Sequence, residues 1–306
     1  MVRLRAFPLN GSGQSPEVSR EPSVLAMPDF GSAELGSSVT IPAFFINLEQ
    51  DTDRRQSVEA QLAAAGLVAE RIPGIDGDNL PEFAAPYFPK SLLSPGEIGC
   101  YASHLSVWRT VVARNLPCAL VLEDDVQIET DAVQVISELI RVLPQGWDYV
   151  HMDGRRRGRD FAARPLKDLP GNRKLVRYAR IPDGTIAYLI SNQGARTLLA
   201  PKPRSAPVDT DIRRPWFWRL DVYGISNPPF RPAGFTSIIH ARGGRSRRKY
   251  KRRFDTRFRS PKSFVFNLGK LGPYWWARCF VENALIKAGR TIAKRRLASQ
   301  PDPTPL

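Results

Sequence analysis

Apolar residues arrive along this chain in short runs split by polar punctuation, and the period of the runs switches between two and 3.6. Residues 39–48 (VTIPAFFINL) make a β-rich run that predicts a first, central strand. A helical pattern follows over 54–65 and stops at Gly66, with Asp51 or Thr52 as N-cap and Gly66 at C′. Residues 68–72 predict a second strand, and Gly74, Ile75, Asp76 and Gly77 a turn. Ser94, Pro95 and Glu97 then set out an N-cap, a proline at N1 and a glutamate at N3, a capping box. The helix they open carries Ile98, Tyr101, Leu105, Val107 and Trp108, with Ser103 and His104 on it. Residues 119–126 (ALVLEDDV) predict a buried strand, 131–143 a helix, 147–152 and 185–191 further strands. A helix follows 192–194, and 235–240 is the last strand-like piece. Strand, loop and helix in alternation predict an α/β fold.

The remaining stretches lack such periodicity. Residues 1–38, rich in Ser, Gly, Pro and Glu, predict a disordered leader. Residues 158–180 read as an irregular polar insert or lid, and 212–224 as an aromatic-rich segment suited to core packing or to stacking on a sugar or base. The folded body is thus expected over 39–241, followed by a tail at 242–306.

Charge separates that tail from the body. The chain carries +15, and residues 242–306 hold 18 Lys and Arg against Asp255, Glu282 and Asp302, so the tail accounts for the whole excess. Such asymmetry predicts an interaction segment for a polyanion. A helix from about Pro273 to Leu297 is basic in its second half and bears Trp275, Trp276, Phe280, Leu285 and Ile292. Paired tryptophans on a basic amphipathic helix favour an anionic membrane surface over the rival, nucleic acid. No apolar run approaches the roughly 20 residues of a membrane-spanning helix. Cys100, Cys118 and Cys279 are too few and too scattered for a disulfide framework or a zinc site, which fits a reduced, cytoplasmic setting.

Candidate chemistry centres on Glu123, Asp124 and Asp125, three acids at the end of an apolar strand. Burying them requires a compensating cation or hydrogen bonds. Strand alternation would put Glu123 and Asp125 on one face and Asp124 on the other, a pair suited to a hard divalent ion beside phosphates; the alternative is that the strand has ended and the acids are solvated. Asn47 and Arg54 follow the first strand, where nucleotides commonly sit in α/β folds. Asp76 would touch a ribose or shape its turn. Arg155, Arg156 and Arg157 follow a strand and suit either a diphosphate clamp or a solvated loop. Asp209 and Asp211 form a second acid pair.

Seven stretches in order complete a pattern: FINLEQDTDRR, PGIDG, SPGEIGCYASHLSVWR, LVLEDDV, WDYV, TIAYLISNQGARTLL and PVDTD. In these the chain resembles glycosyltransferase family 25, the lipooligosaccharide galactosyltransferases and their collagen-modifying relatives. The resemblance implies a GT-A-like nucleotide-sugar-binding domain and a UDP-hexose donor, with UDP-galactose as precedent. The acceptor would be a saccharide of lipopolysaccharide or another cell-surface glycan. It implies that Asp125, with Glu123, holds Mn²⁺ or Mg²⁺, and that Glu123 or Asp124 meets the ribose or a metal-bound water. Asn47 and Arg54 would border the uridine, with Asp76 nearby. Glu97, Ser103 and His104 fall in the family pattern G-E-I-G-C-x-x-S-H. Asp209, and after it Asp211, would supply the base of an inverting transfer. A cytoplasmic enzyme peripheral on the inner face of the membrane would result; a non-catalytic membrane-associated scaffold of the same fold is the alternative. Gln50, where relatives often carry a basic residue, and the basic tail depart from the pattern.

Overall fold

The computed structural model describes residues 41–89, 91–154, 161–235 and 261–298. The expected leader, the arginines at 155–157, positions 236–240 of the last strand and the basic run at 242–260 lie outside the described residues.

The chain builds one large mixed sheet in the order β2-β1-β3-β8-β5-β9-β7-β6. Strands β2 (Glu70–Pro73), β1 (Ala43–Asn47) and β3 (Cys118–Glu123) run parallel. Strand β8 (Ala187–Ser191) reverses direction between β3 and β5 (Tyr149–His151), and β5 pairs parallel with β9 (Val222–Ser226). A small second sheet joins β4 (Val126–Ile128) to β10 (Phe230–Pro232). This is the α/β arrangement expected: parallel strands at one side, an antiparallel strand beside them, and the acidic motif at the carboxyl end of β3.

Why the central strands read as continuous apolar runs is visible in the packing. Phe44, Val121, Tyr149, Tyr188 and Ile190 enter one core layer, while their neighbours Phe45, Leu120, Leu122, Val150 and Leu189 enter the other. Successive side chains go to opposite faces, and both faces are covered. The first layer holds α2 (Pro95–Ala113) and α4 (Asn192–Leu198). The second holds α1 (Thr52–Ala64) and α3 (Ala132–Val142).

Helix α2 starts where the capping box placed it. The Ser94 backbone N–H donates to Glu97 Oε2 at 2.8 Å, and the Ser94 hydroxyl accepts from the Glu97 N–H at 3.4 Å. The Gly74–Gly77 turn lies directly on this helix, its Ile75 N–H donating to Ser103 Oγ at 2.8 Å. A Cβ on Gly99 would be driven into the Ile75 carbonyl, and one on Gly77 into the Pro95 carbonyl. Gly99→Ala is therefore expected to cost about 1–3 kcal/mol by overpacking a backbone-to-backbone contact. Thermal unfolding measures this, and an unchanged melting temperature would show that turn and helix can separate freely.

Three expectations are corrected. Of the irregular insert expected over 158–180, the described part is regular: β6 (Ala163–Leu169) and β7 (Arg173–Tyr178) form a hairpin that extends the main sheet. Gly171 and Asn172, at φ of 69° and 55°, turn it, the left-handed pair that glycine and asparagine accommodate best. Phe235 is not in a strand; the last described strand is β10. The third concerns helices α7 (Pro261–Leu271) and α8 (Pro273–Ala298). Trp275 and Trp276 do not form the outer face of α8 but pack with Phe280 against Ala162, Ala179, Leu271 and Cys279. Its outward stripe is instead Tyr274, Val281 and Leu285, 67%, 57% and 67% exposed.

Candidate functional site

The acidic motif sits where two pairings part. β3 ends at Glu123, whose N–H still reaches the Ile186 carbonyl at 2.8 Å. Asp124 and Asp125 then turn the chain into β4, which pairs with β10. Strand alternation thus stops at Glu123, so Asp124 and Asp125 are placed by the turn and not by the pleat of the strand. Asp124 faces the end of β1: Asn47 Nδ2 donates to its Oδ2 at 2.8 Å and Arg54 to its Oδ1 at 3.0 Å. Burial pushes the Asp124 carboxyl above its usual range, against the pull of Asn47 and Arg54. Asn47 is itself fixed by Arg71, whose Nε donates to Oδ1 at 3.1 Å. Asp125 is buried, and its carbonyl accepts from Ala233 N–H at 2.6 Å.

Glu123 faces α2. Thr185 donates its hydroxyl to Glu123 Oε1 at 2.5 Å, and His104 Nε2 stands 3.4 Å from the same oxygen. Burial alone would raise this carboxyl; the His104 and Thr185 contacts outweigh it and hold the group below its ordinary value. On its other side His104 Nδ1 lies 2.9 Å from Tyr188 Oη, which also accepts from Trp108 Nε1 at 3.0 Å. Tryptophan can only donate, so the tyrosine proton is available to Nδ1, leaving the Nε2 proton to point at Glu123. The line Trp108, Tyr188, His104, Glu123 is consistent in direction from core to cleft. Burial drives the Tyr188 phenol well above its usual range.

Asp209 lies on α5 (Val208–Ile212), which packs against α2. Burial first, then Glu123, Asp209, Asp125 and Glu97 in turn, push the Cys100 thiol well above its ordinary value, so four carboxylates bear on one sulfur. Asp209 is itself raised by burial, with Arg213 pulling down and Asp183 pushing up. Arg213 is shared, bonding Asp183 at 2.5 Å.

The other expected residues are placed as follows. Asp211 is only 2% exposed, accepts from Tyr101 Oη at 3.0 Å and pairs with Arg214. That environment gives it a structural ion pair and does not support a role as second base. Glu97 accepts from the Ser94 N–H and hydroxyl, at 2.8 and 3.1 Å, as the N3 member of the capping box. Ser103 holds the Ile75 turn and donates to the Gly99 carbonyl at 2.7 Å, so it shapes the wall of the site. Asp76 Oδ1 accepts from Asp78 N–H at 3.4 Å, the turn role. Sequence reading missed Cys100, Thr185 and Tyr188. Only Cys100 carried a signal, four residues before His104 and so on the same helical face.

Cys100, His104 and Glu123 each offer a donor atom within 4.8 Å of the others. The chemistry available is therefore a cluster of carboxylates at the carboxyl ends of β1 and β3. It has one half-buried acid of raised pKa, Asp209, and a hydrogen-bonded histidine.

Residues 40–211 match the family described as glycosyltransferase family 25 (LPS biosynthesis protein). A glycosyltransferase 25 family member of Aedes aegypti is 35% identical over 188 residues, covering 55% of this chain and 30% of the relative. The Homo sapiens protein named inactive glycosyltransferase 25 family member 3 is 31% identical over 219 residues, covering 62% and 36%. The chain thus spans about a third of the length of these relatives. Among solved structures, a glycosyltransferase involved in glycosylation of the major capsid of PBCV-1 aligns with a TM-score of 0.38 at 10% identity, over 64% of this chain and 94% of that one. A Drosophila β-1,4-galactosyltransferase 7 in complex with manganese, UDP-Gal and xylobiose aligns with a TM-score of 0.36 at 10% identity, over 72% and 82%. With more than half its length matched, including both acidic motifs, the chain belongs to glycosyltransferase family 25.

Proposed function

We propose that the protein transfers a hexose, galactose by family precedent, from a UDP-sugar to a saccharide acceptor of lipopolysaccharide or another cell-surface glycan, with inversion. The observation that carries this reading is the acidic motif at the carboxyl end of β3, where Glu123 meets Cys100 and His104 and where the charges of Asp209 and Asp125 also help raise the Cys100 thiol. That concentration of negative charge fits a divalent cation. Bound there by Asp125 and Glu123, Mn²⁺ or Mg²⁺ would neutralise the diphosphate as it leaves. Asp209 accepts the proton of the acceptor hydroxyl, a task that suits a carboxylate whose pKa burial has raised. Asn47 and Arg54 hold Asp124 and so fix the turn that presents Asp125.

A panel of UDP-sugars, each with and without Mn²⁺ or Mg²⁺, tests this by protection against thermal unfolding. The expected result is a metal-dependent rise in melting temperature with UDP-galactose. No shift with any UDP-sugar would overturn the reading. The second reading, a non-catalytic scaffold, draws on relatives named inactive. It requires donor binding without transfer or slow donor hydrolysis.

The outward stripe of α8 supports a peripheral seat on an anionic membrane, at the inner face of the cytoplasmic membrane where a lipid-linked acceptor would be. Tyr274, Val281 and Leu285 lie on one face with Arg278 beside them, and Ala277 and Ala284 extend it. Among the described residues no helix is long and apolar enough to cross a membrane. Leu285→Asp is expected to weaken co-sedimentation with anionic vesicles by roughly tenfold, since it removes one leucine that the bilayer would bury; added salt should weaken it too. Unchanged sedimentation would exclude this face, and tighter binding to a labelled oligonucleotide at physiological salt would assign the basic tail to nucleic acid.

A further inference from the structure

We infer that Cys100, His104 and Glu123 form a binding site for a borderline-soft transition metal ion of the Zn²⁺ and Co²⁺ class. The site shares Glu123 with the proposed donor site, but it rests on geometry alone and stands whether or not the chain transfers sugar. Cys100 and His104 are four residues apart on α2, so one helical face presents both donors. Glu123 meets them from the end of β3, and the three donor atoms lie within 4.8 Å of one another.

Donors held about 2.0–2.3 Å from one tetrahedral ion sit roughly 3.3–3.8 Å apart, so modest side-chain rotation closes this set. The separation of His104 Nε2 from Glu123 Oε1, 3.4 Å, is long for a hydrogen bond and ordinary for two ligands of one ion. The supporting contacts are already built. Metal binding at Nε2 displaces its proton, and the ring then carries its proton on Nδ1, 2.9 Å from Tyr188 Oη, which turns from donor to acceptor. Trp108 and Tyr149 fix that tyrosine, by a 3.0 Å hydrogen bond and by stacking at 4.7 Å. Thr185 orients Glu123. Thiolate, imidazole and carboxylate together suit Zn²⁺, whereas Mg²⁺ prefers oxygen alone. On binding, the S–H bond breaks, sulfur donates to the metal, and the thiol proton leaves to solvent. The scatter of cysteines that argued against zinc in the sequence does not apply, because one cysteine suffices when a helix neighbour and a distant strand complete the set.

Cobalt reads this site directly. Titrating Co²⁺ into the full chain is expected to give a sulfur-to-cobalt charge-transfer band at one equivalent, erased by Zn²⁺ and not by Mg²⁺. Cys100→Ser should lose the band. His104→Ala and Glu123→Gln should each weaken Zn²⁺ binding by roughly 100-fold, and Tyr188→Phe by roughly tenfold. Absence of the band in the unaltered chain, or its survival in Cys100→Ser, overturns the inference. Should Cys100→Ser fail to fold, a Cys118→Ser, Cys279→Ser chain keeps Cys100 as its only thiol; a band there upholds the site, and its loss overturns it. A band without donor protection leaves the metal site standing and removes the transferase reading; protection without a band does the reverse.

Discussion

Replacing Asp209 by asparagine is expected to lower the transfer rate by roughly 100- to 10,000-fold, the range a positioned general base supplies, without lowering the melting temperature. The two halves of that result have one cause. Burial raises the Asp209 carboxyl above the ordinary aspartate value of 3.8, with Arg213 compensating only in part. A group whose folded-state pKa is raised binds its proton more tightly folded than unfolded. It therefore costs stability once pH rises through the folded value and the carboxylate ionises. Asparagine removes that cost while removing the base. The same shift places the acid limb of the pH–rate profile above the ordinary aspartate range, and Asp209→Asn should abolish that limb. Initial rates against pH, with thermal unfolding of both proteins, provide the check. Full transfer in Asp209→Asn would assign the proton to another group.

Arg204→Ala is expected to cost about 3–5 kcal/mol, the scale of breaking a buried charged cluster. Arg204 is only 1% exposed. Its guanidinium lies 4.2 Å over the Trp218 ring and 5.1 and 5.4 Å over Tyr87 and Tyr101. It donates to the Leu198 and Ala200 carbonyls at 2.5 and 3.0 Å. It also helps compensate Asp211, whose carboxyl burial raises and which Arg214 and Tyr101 otherwise hold down. Alanine would leave a cavity among three aromatic rings and strip Asp211 of one cation. Because Asp211 and Asp209 share α5, activity should fall with stability. Lysine should rescue little, lacking the planar fork that stacks and donates twice. Denaturant midpoints for the two variants test this; a loss below about 1 kcal/mol, the level of an exposed pair, would contradict it.

Features that close within a few residues were legible in the sequence, and those that depend on distant partners were not. The Ser94 capping box and the Gly66 terminus at φ of 67° need only local geometry. So do the apolar strands β1, β3 and β8. The turn at Asp124 and Asp125 depends on β4 leaving for β10, about which the local residues say nothing. The hairpin of β6 and β7 was hidden by charge: Arg164, Lys167, Asp168, Arg173, Lys174 and Arg177 suit an outer strand pair but disguise its alternation. At the site, Asp124 meets Asn47 across 77 residues and His104 meets Tyr188 across 84. Residue type suggested the acids; only the fold shows which acid faces which partner. Trp275 and Trp276 teach the same lesson, since their composition suits a membrane surface while their packing serves the core.

Helix α2 bears Glu97, Cys100, His104 and Trp108 at steps of three, four and four residues. An α-helix turns about 100° per residue, so inserting or deleting one residue between Ser94 and Trp108 would swing part of this stripe away from Glu123 and Tyr188. Substitutions here can be graded, but changes of length cannot. Homologous enzymes and engineered chimaeras built on this scaffold can vary freely in their loops, yet must inherit this fifteen-residue stretch without gaps.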